Sequence, residues 1–140
     1  MRGTVTLLAV VMCLAGCAFQ RQGNVANVPP DVGQKIAAVT VRQLVAVFPP
    51  GRTQFAIETG GNDPFGATLV QMLRRRGYGM RDGKGEPADG ALSLSYIVDS
   101  PIAKDQYRVT VAAGGQSLTR FFVVDRGNVV PASPWALREQ

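Results

Sequence analysis

A chain of 140 residues with 15 basic and 10 acidic side chains, two cysteines and no histidine is the size of one ordinary domain. The absence of histidine removes the commonest metal ligand and the usual general base together. The net charge of +5 permits contact with anionic lipid, nucleic acid or an acidic protein, and selects none of them.

Met1 and Arg2 supply a short positive start, Val5 to Leu14 read VTLLAVVMCL, and the small residues Ala15 and Gly16 precede Cys17. This is the order of a secretory n-region, h-region and cleavage site. The apolar run from Val5 to Phe19 falls short of the roughly 20 residues that a spanning helix needs, and Gln20 and Arg21 follow it directly. Leu14-Ala15-Gly16-Cys17 resembles the bacterial lipobox. That resemblance implies cleavage before Cys17, a thioether-linked diacylglycerol on its sulfur and an acyl chain on its amine, with no other cofactor expected. Two or three chains anchor a protein stably where one does not. Lipoproteins kept in the inner membrane typically carry Asp at the next position, so Ala18 implies sorting to the outer membrane. Cys13 leaves with the signal and Cys17 is blocked, which leaves no free thiol and no disulfide. Removal of residues 1–16 leaves 124 of the 140 residues, enough for one domain and too few for two.

Residues 17–30 are expected to form a lipidated, flexible tether. From Gln20 to Pro30 the chain reads QRQGNVANVPP, without helical or strand period, and at about 3.3 to 3.6 Å per residue it reaches nearly 40 Å. The same segment also suits a docking strip that orders on a partner.

The folded domain is expected over 31–140. Asp31 and Gln34 have the spacing of a capping box. Ala37, Val41, Leu44, Val45 and Phe48 then recur on one side at helical spacing, until Pro49, Pro50 and Gly51 stop the helix. Thr53 to Thr59 alternates Phe55 and Ile57 with polar neighbours, which predicts a strand. Asp63 and Pro64 open a second helix whose apolar face is Phe65, Leu69, Met72 and Leu73, with Gly77 as its C-terminal cap.

Tyr78 to Arg81 predicts a brief strand, and Gly83 to Gly90, GKGEPADG, a solvated loop. Leu92, Leu94, Tyr96 and Val98 alternate, then Tyr107, Val109 and Val111, then Leu118 to Val124, with Gly114 and Gly115 as a hairpin turn. These elements predict an α+β, two-layer sandwich, two helices packed on a mainly antiparallel sheet.

Chemical motifs are few. Gly79 and Gly83 before Lys84 miss the phosphate-loop spacing by one residue, and Gly85 stands where that motif has Ser or Thr. Asp99 and Asp105 read as turn residues around a hairpin. Arg74, Arg75 and Arg76 suit either phosphate contact or complementation of the helix C-terminus. A run of three arginines neutralises too few phosphates for tight duplex binding at physiological salt, so no direct nucleic-acid contact is expected. Trp135, in the tail PASPWALREQ, suits either a partner-binding anchor or a residue that folds back to close the domain. No catalytic residue, metal ligand or small-molecule substrate is assigned.

The stretches QLVAVFPPGRTQF, DPFGATLVQMLRRRGYGMRD and YRVTVAAGGQSLTRFF, with a tail ending WALREQ, together resemble the TrbH family of conjugal transfer proteins over nearly the whole chain. The resemblance implies a lipoprotein of the mating-pair-formation apparatus, a type IV secretion system, with the outer-membrane lipid and other channel-core proteins as partners. It carries over one functional residue, Cys17. The expected role is non-enzymatic tethering or assembly of the periplasmic core. Two alternatives stay open: a general envelope lipoprotein serving as chaperone or activator of another outer-membrane machine, and a periplasmic hydrolase with an unusual histidine-free site.

Overall fold

A computed structural model describes residues 25–58, 62–83 and 90–140. Helix α1 spans Pro30–Val47, a 3₁₀ turn spans Pro50–Arg52, strand β1 spans Gln54–Ile57 and helix α2 spans Pro64–Arg75. Strands β2 (Gly79–Asp82), β3 (Leu92–Asp99), β4 (Gln106–Ala113), β5 (Gln116–Asp125), β6 (Asn128–Pro131) and β7 (Ala136–Glu139) follow. The fold is α+β, with a seven-stranded sheet in the order β2-β1-β3-β4-β5-β6 and β7 also on β5. β1 pairs in parallel with β2 and β3, and every other strand pairing is antiparallel.

α1 begins differently from the capping-box expectation. Pro29 is the N-cap, Pro30 the first helical residue, and no side chain caps the end, so Asp31 sits inside the first turn. Proline explains the shift: its φ is already helical and it lacks the N–H that a cap would satisfy. The buried face comprises Val32, Gly33, Ile36, Ala37, Thr40, Val41 and Leu44, while Val45 and Phe48 are half-buried against the core. Thr40 is tolerated at the centre because its hydroxyl donates to the Ile36 carbonyl at 2.9 Å.

α2 matches its sequence signals closely. Asp63 caps it, accepting from the Gly66 N–H at 2.7 Å, and Phe65, Leu69 and Leu73 are fully buried. Gly77 has φ +93°, which an L side chain adopts only with strain. The Tyr78 N–H donates to the Leu73 carbonyl at 3.1 Å and the Gly77 N–H to the Arg74 carbonyl at 3.0 Å, the two bonds of a Schellman cap. Tyr78 is thereby spent on the cap, and β2 starts at Gly79.

The helices run side by side in the same direction. A Cβ on Gly33 would lie 3.6 Å from Phe65, which joins their N-terminal ends, and the Tyr78 hydroxyl donates to the Phe48 carbonyl, which joins their C-terminal ends. Leu94, Tyr96, Val98, Tyr107, Val109, Val111, Leu118 and Phe122 share one core with the helix residues. By strand alternation they form a single face of the sheet. The Phe65 and Tyr96 rings, 4.9 Å apart, sit at this helix–sheet boundary. Ser95, Ile97, Thr110, Thr119 and Phe121 fall on the opposite face, where no described element packs.

The β4–β5 hairpin turns at Gly114 (φ +53°) and Gly115 (φ +81°), with Ala113 opposite Gln116, the two-residue geometry that matches strand twist. β6 and β7 lie end to end along the outer edge of β5, opposite its last and first four residues respectively. Sequence reading assigned no strand to either. The described part of the expected tether lies against the domain: Val25 bridges Val98 in parallel, the Ala26 N–H donates to the Val98 carbonyl at 3.0 Å, and Val28 packs against the core. Among the described residues no helix is long and apolar enough to cross a membrane.

Candidate functional site

Cys17 and Ala18, the lipidation and sorting residues expected from sequence, lie outside the described residues. So do residues 84–89 of the glycine-rich loop. The remaining candidates fall in three separate places.

Trp135 folds back onto β5. Its ring meets Phe122 edge-on at 6.4 Å, and the Arg120 guanidinium lies 5.6 Å from the Trp135 ring and 5.8 Å from the Phe122 ring. Arg120 Nε donates to the Ser133 carbonyl at 2.8 Å, and Ser133 Oγ accepts from the Phe121 N–H at 3.0 Å. These bonds hold the PASP turn between β6 and β7. Cation–π contact and hydrogen bonding together let Arg120 sit on the core-side face of a strand. The half-buried indole closes the sheet edge.

Asp99 and Asp105 are not brought together as an acid/base pair. Arg108 grips Asp99 through two bonds, Nε to Oδ1 at 3.0 Å and Nη2 to Oδ2 at 2.5 Å. They are cross-strand partners in the β3–β4 register. Hydrogen bonding to Asp99 raises the Arg108 pKa above its ordinary value. Asp105 stands in the loop, where its carbonyl accepts from the Val124 N–H at 2.9 Å. Among the described residues no group of three or more acidic or cysteine side chains is gathered as a metal site would need.

Arg74, Arg75 and Arg76 are exposed at the end of α2. Arg52, also exposed, joins them from the 3₁₀ turn. Sequence reading missed Arg52, because residues 53–73 separate it from the run and only the helix pairing brings the two ends together. Helix starts and strand directions place Asp31, Asp63, Asp99, Asp105 and Asp125 at the other end of the molecule, with Lys35, Lys104, Arg108 and Arg126 among them. Glu58 lies beside Ser93 near the start of β3, and Glu139, opposite Gln116, stands at the arginine end of the strands but on the far edge strand β7. The charge is thus divided between a mixed, acid-rich end and an arginine end.

A family model described as "Conjugal transfer protein TrbH" matches residues 18–140. The chain belongs to the TrbH family. No curated protein and no solved structure gives a significant match. Membership places this TrbH chain among conjugal transfer proteins. In the TrbH domain the stretches that carry the resemblance are framework. FPPGRTQF leads from α1 through the 3₁₀ turn into β1; DPFGATLVQMLRRRGYGMRD is α2, its Schellman cap and β2; YRVTVAAGGQSLTRFF is the β4–β5 hairpin.

Proposed function

We propose that this TrbH protein is an outer-membrane lipoprotein that tethers or helps assemble the periplasmic core of a conjugative type IV secretion apparatus. It acts through contacts with other channel proteins and performs no chemistry of its own. The observation that carries this reading is the pairing of TrbH membership over residues 18–140 with LAGC at residues 14–17. The family match begins at the residue after the lipobox cysteine.

Two further features support it. No described helix crosses a membrane, so stable residence there calls for an anchor outside the domain, and two or more acyl chains supply one. The domain itself is a small, well-packed sandwich whose arginine end and outer sheet face, on which no described element packs, offer surfaces for protein contacts. Ala18 favours the outer membrane.

Fractionation of cells grown with labelled palmitate tests the placement. The native protein is expected to carry label and to sediment with the outer membrane, and Ala18→Asp to carry label in the inner membrane. An unlabelled native protein contradicts the anchor, and an unchanged distribution of Ala18→Asp contradicts the sorting step.

A further inference from the structure

The arginines at the ends of α2 and the 3₁₀ turn do more than the fold requires of them. Basic residues close a helix because they hydrogen-bond its last carbonyls and complement its dipole. In α2 the carbonyls of Met72, Leu73 and Arg74 already accept from the backbone N–H groups of Arg76, Gly77 and Tyr78. The dipole is no stronger reason, since α1 ends beside it with no basic residue in its last turn. Arg52, Arg74, Arg75 and Arg76 make no ion pair among the described residues. Four like charges at one end repel one another, and opposite charge brought by a partner relieves that repulsion.

A cleft of about 310 Å³ lies among them, lined on one side by Pro50 to Gln54, the 3₁₀ turn and the start of β1, and on the other by Gly77 and Gly79. A Cβ on Gly51 or Gly77 would meet nothing within 4 Å, so the backbone at the cleft is open to a ligand. Arg52 lines this cleft and Arg76 directly precedes its opposite wall.

The surroundings decide which anion fits. Binding to a lipid surface is strengthened by apolar side chains that enter the headgroup layer beside the basic ones. Among the described residues the exposed large apolar ones are elsewhere: Ile97, Ile102 and Val130 near the other end of the strands, and Leu137 on the far edge strand. Single-stranded nucleic acid is held by exposed aromatic rings on which bases stack, and no aromatic residue lines the cleft. A carboxylate needs neither. The guanidinium fork matches it with two parallel bonds, as Arg108 matches Asp99 within this same domain.

We propose that Arg52, Arg74, Arg75 and Arg76, around the cleft between the 3₁₀ turn and the α2–β2 corner, form the docking surface for an Asp/Glu-rich segment of a protein partner. Each exposed pair is weak alone. The complex is therefore salt-sensitive and depends on several arginines at once. The proposal does not depend on acylation of Cys17.

Anisotropy of a short fluorescent poly-glutamate peptide, titrated with the full-length protein in neutral detergent, tests this. Binding is expected at low salt and is expected to weaken at about 150 mM, where the Debye length falls to about 8 Å. The triple variant Arg52→Gln, Arg75→Gln, Arg76→Gln is expected to bind about tenfold more weakly, the sum of three exposed pairs. A control triple with the same loss of charge, Lys104→Gln, Arg126→Gln, Arg138→Gln, is expected to bind as the native protein does, and both triples to melt with it. Absence of peptide binding at low salt overturns the proposal, as does equal weakening in both triples. So does binding to phosphatidylglycerol vesicles or to an oligonucleotide that is lost in the first triple while the peptide goes unbound.

Discussion

Asp63 and Tyr96 bind each other across the helix–sheet boundary. The Tyr96 hydroxyl, in the middle of β3, donates to Oδ2 of Asp63, while Oδ1 of the same carboxylate caps α2 through the Gly66 N–H at 2.7 Å. One side chain thus fixes where the helix starts and where it sits on the sheet. Asp63→Ala is expected to cost about 2 to 3 kcal/mol, an N-cap of about 1 kcal/mol plus a charge-assisted bond to a buried phenol. Asp63→Asn keeps the cap and is expected to cost less. Denaturant unfolding of both variants checks this, and equal stability of Asp63→Ala and the native domain contradicts it.

Helix α2 gives a second, sharper contrast. Leu69 is fully buried, so Leu69→Ala leaves a cavity and is expected to cost about 2 to 5 kcal/mol. Arg75 is exposed at the same helix's end, and Arg75→Ala is expected to stay within about 0.5 kcal/mol. Thermal melts that fail to separate the two would reject the assignment of faces.

These elements show what a sequence can state of this fold. α2 was legible because its start, period and stop are all local: Asp-Pro at one end, Phe65, Leu69 and Leu73 at i, i+4 and i+8, Gly77 at the other. The start of α1 was read two residues late, because Asp31 looks like a cap and the prolines before it look like linker, whereas Pro29 is the cap and proline suits a first helical turn. The hairpins of β3 to β5 were legible from alternation and Gly114-Gly115. β6 and β7 were not, since four-residue edge strands bury little and show no period; the turn at Arg126 (φ +48°) and Gly127 (φ +79°) was the one local signal. Parallel pairing of β1 with β2 and β3, and the docking of Val25 on Val98, are long-range facts without local trace. The arginine end was half legible, as a run of three, and completed only by Arg52 arriving through the tertiary fold.

Two tyrosines make the domain sensitive to alkali. Burial pushes the Tyr78 pKa above 10.0, partly opposed by Arg76. Burial, with Asp105 and Asp31 nearby, pushes that of Tyr107 above 10.0 as well. Folding therefore favours both neutral phenols, and their contribution is complete below the unfolded value near pH 10 and lost as pH rises through the raised folded values. Spectrophotometric titration is expected to show two tyrosines ionising late and stability falling in the same range. Tyr78→Phe is expected to lose the bond to the Phe48 carbonyl, about 1 kcal/mol, and to flatten the alkaline loss. A Tyr78→Phe protein with an unchanged alkaline profile contradicts the assignment.

Trp135 is the chain's one tryptophan and reports directly on the closing edge. Its emission is expected to shift to the red in Arg120→Ala, which removes the cation lying over its ring. Trp135→Ala is expected to cost about 1 to 3 kcal/mol through the lost edge-on contact with Phe122 and the lost cation–π contact. An emission spectrum insensitive to Arg120→Ala would show that the indole does not pack there in solution.

The central claim is that the protein works as a tether held in the membrane by Cys17. The frequency of plasmid transfer from a donor strain whose native gene is replaced by Cys17→Ser tests it most directly. That substitution removes the acylation site and leaves the domain untouched. At equal protein level, transfer is expected to fall by at least about tenfold, since without its acyl chains the protein loses stable membrane residence. Transfer at the native frequency by the unacylated protein would contradict the tether.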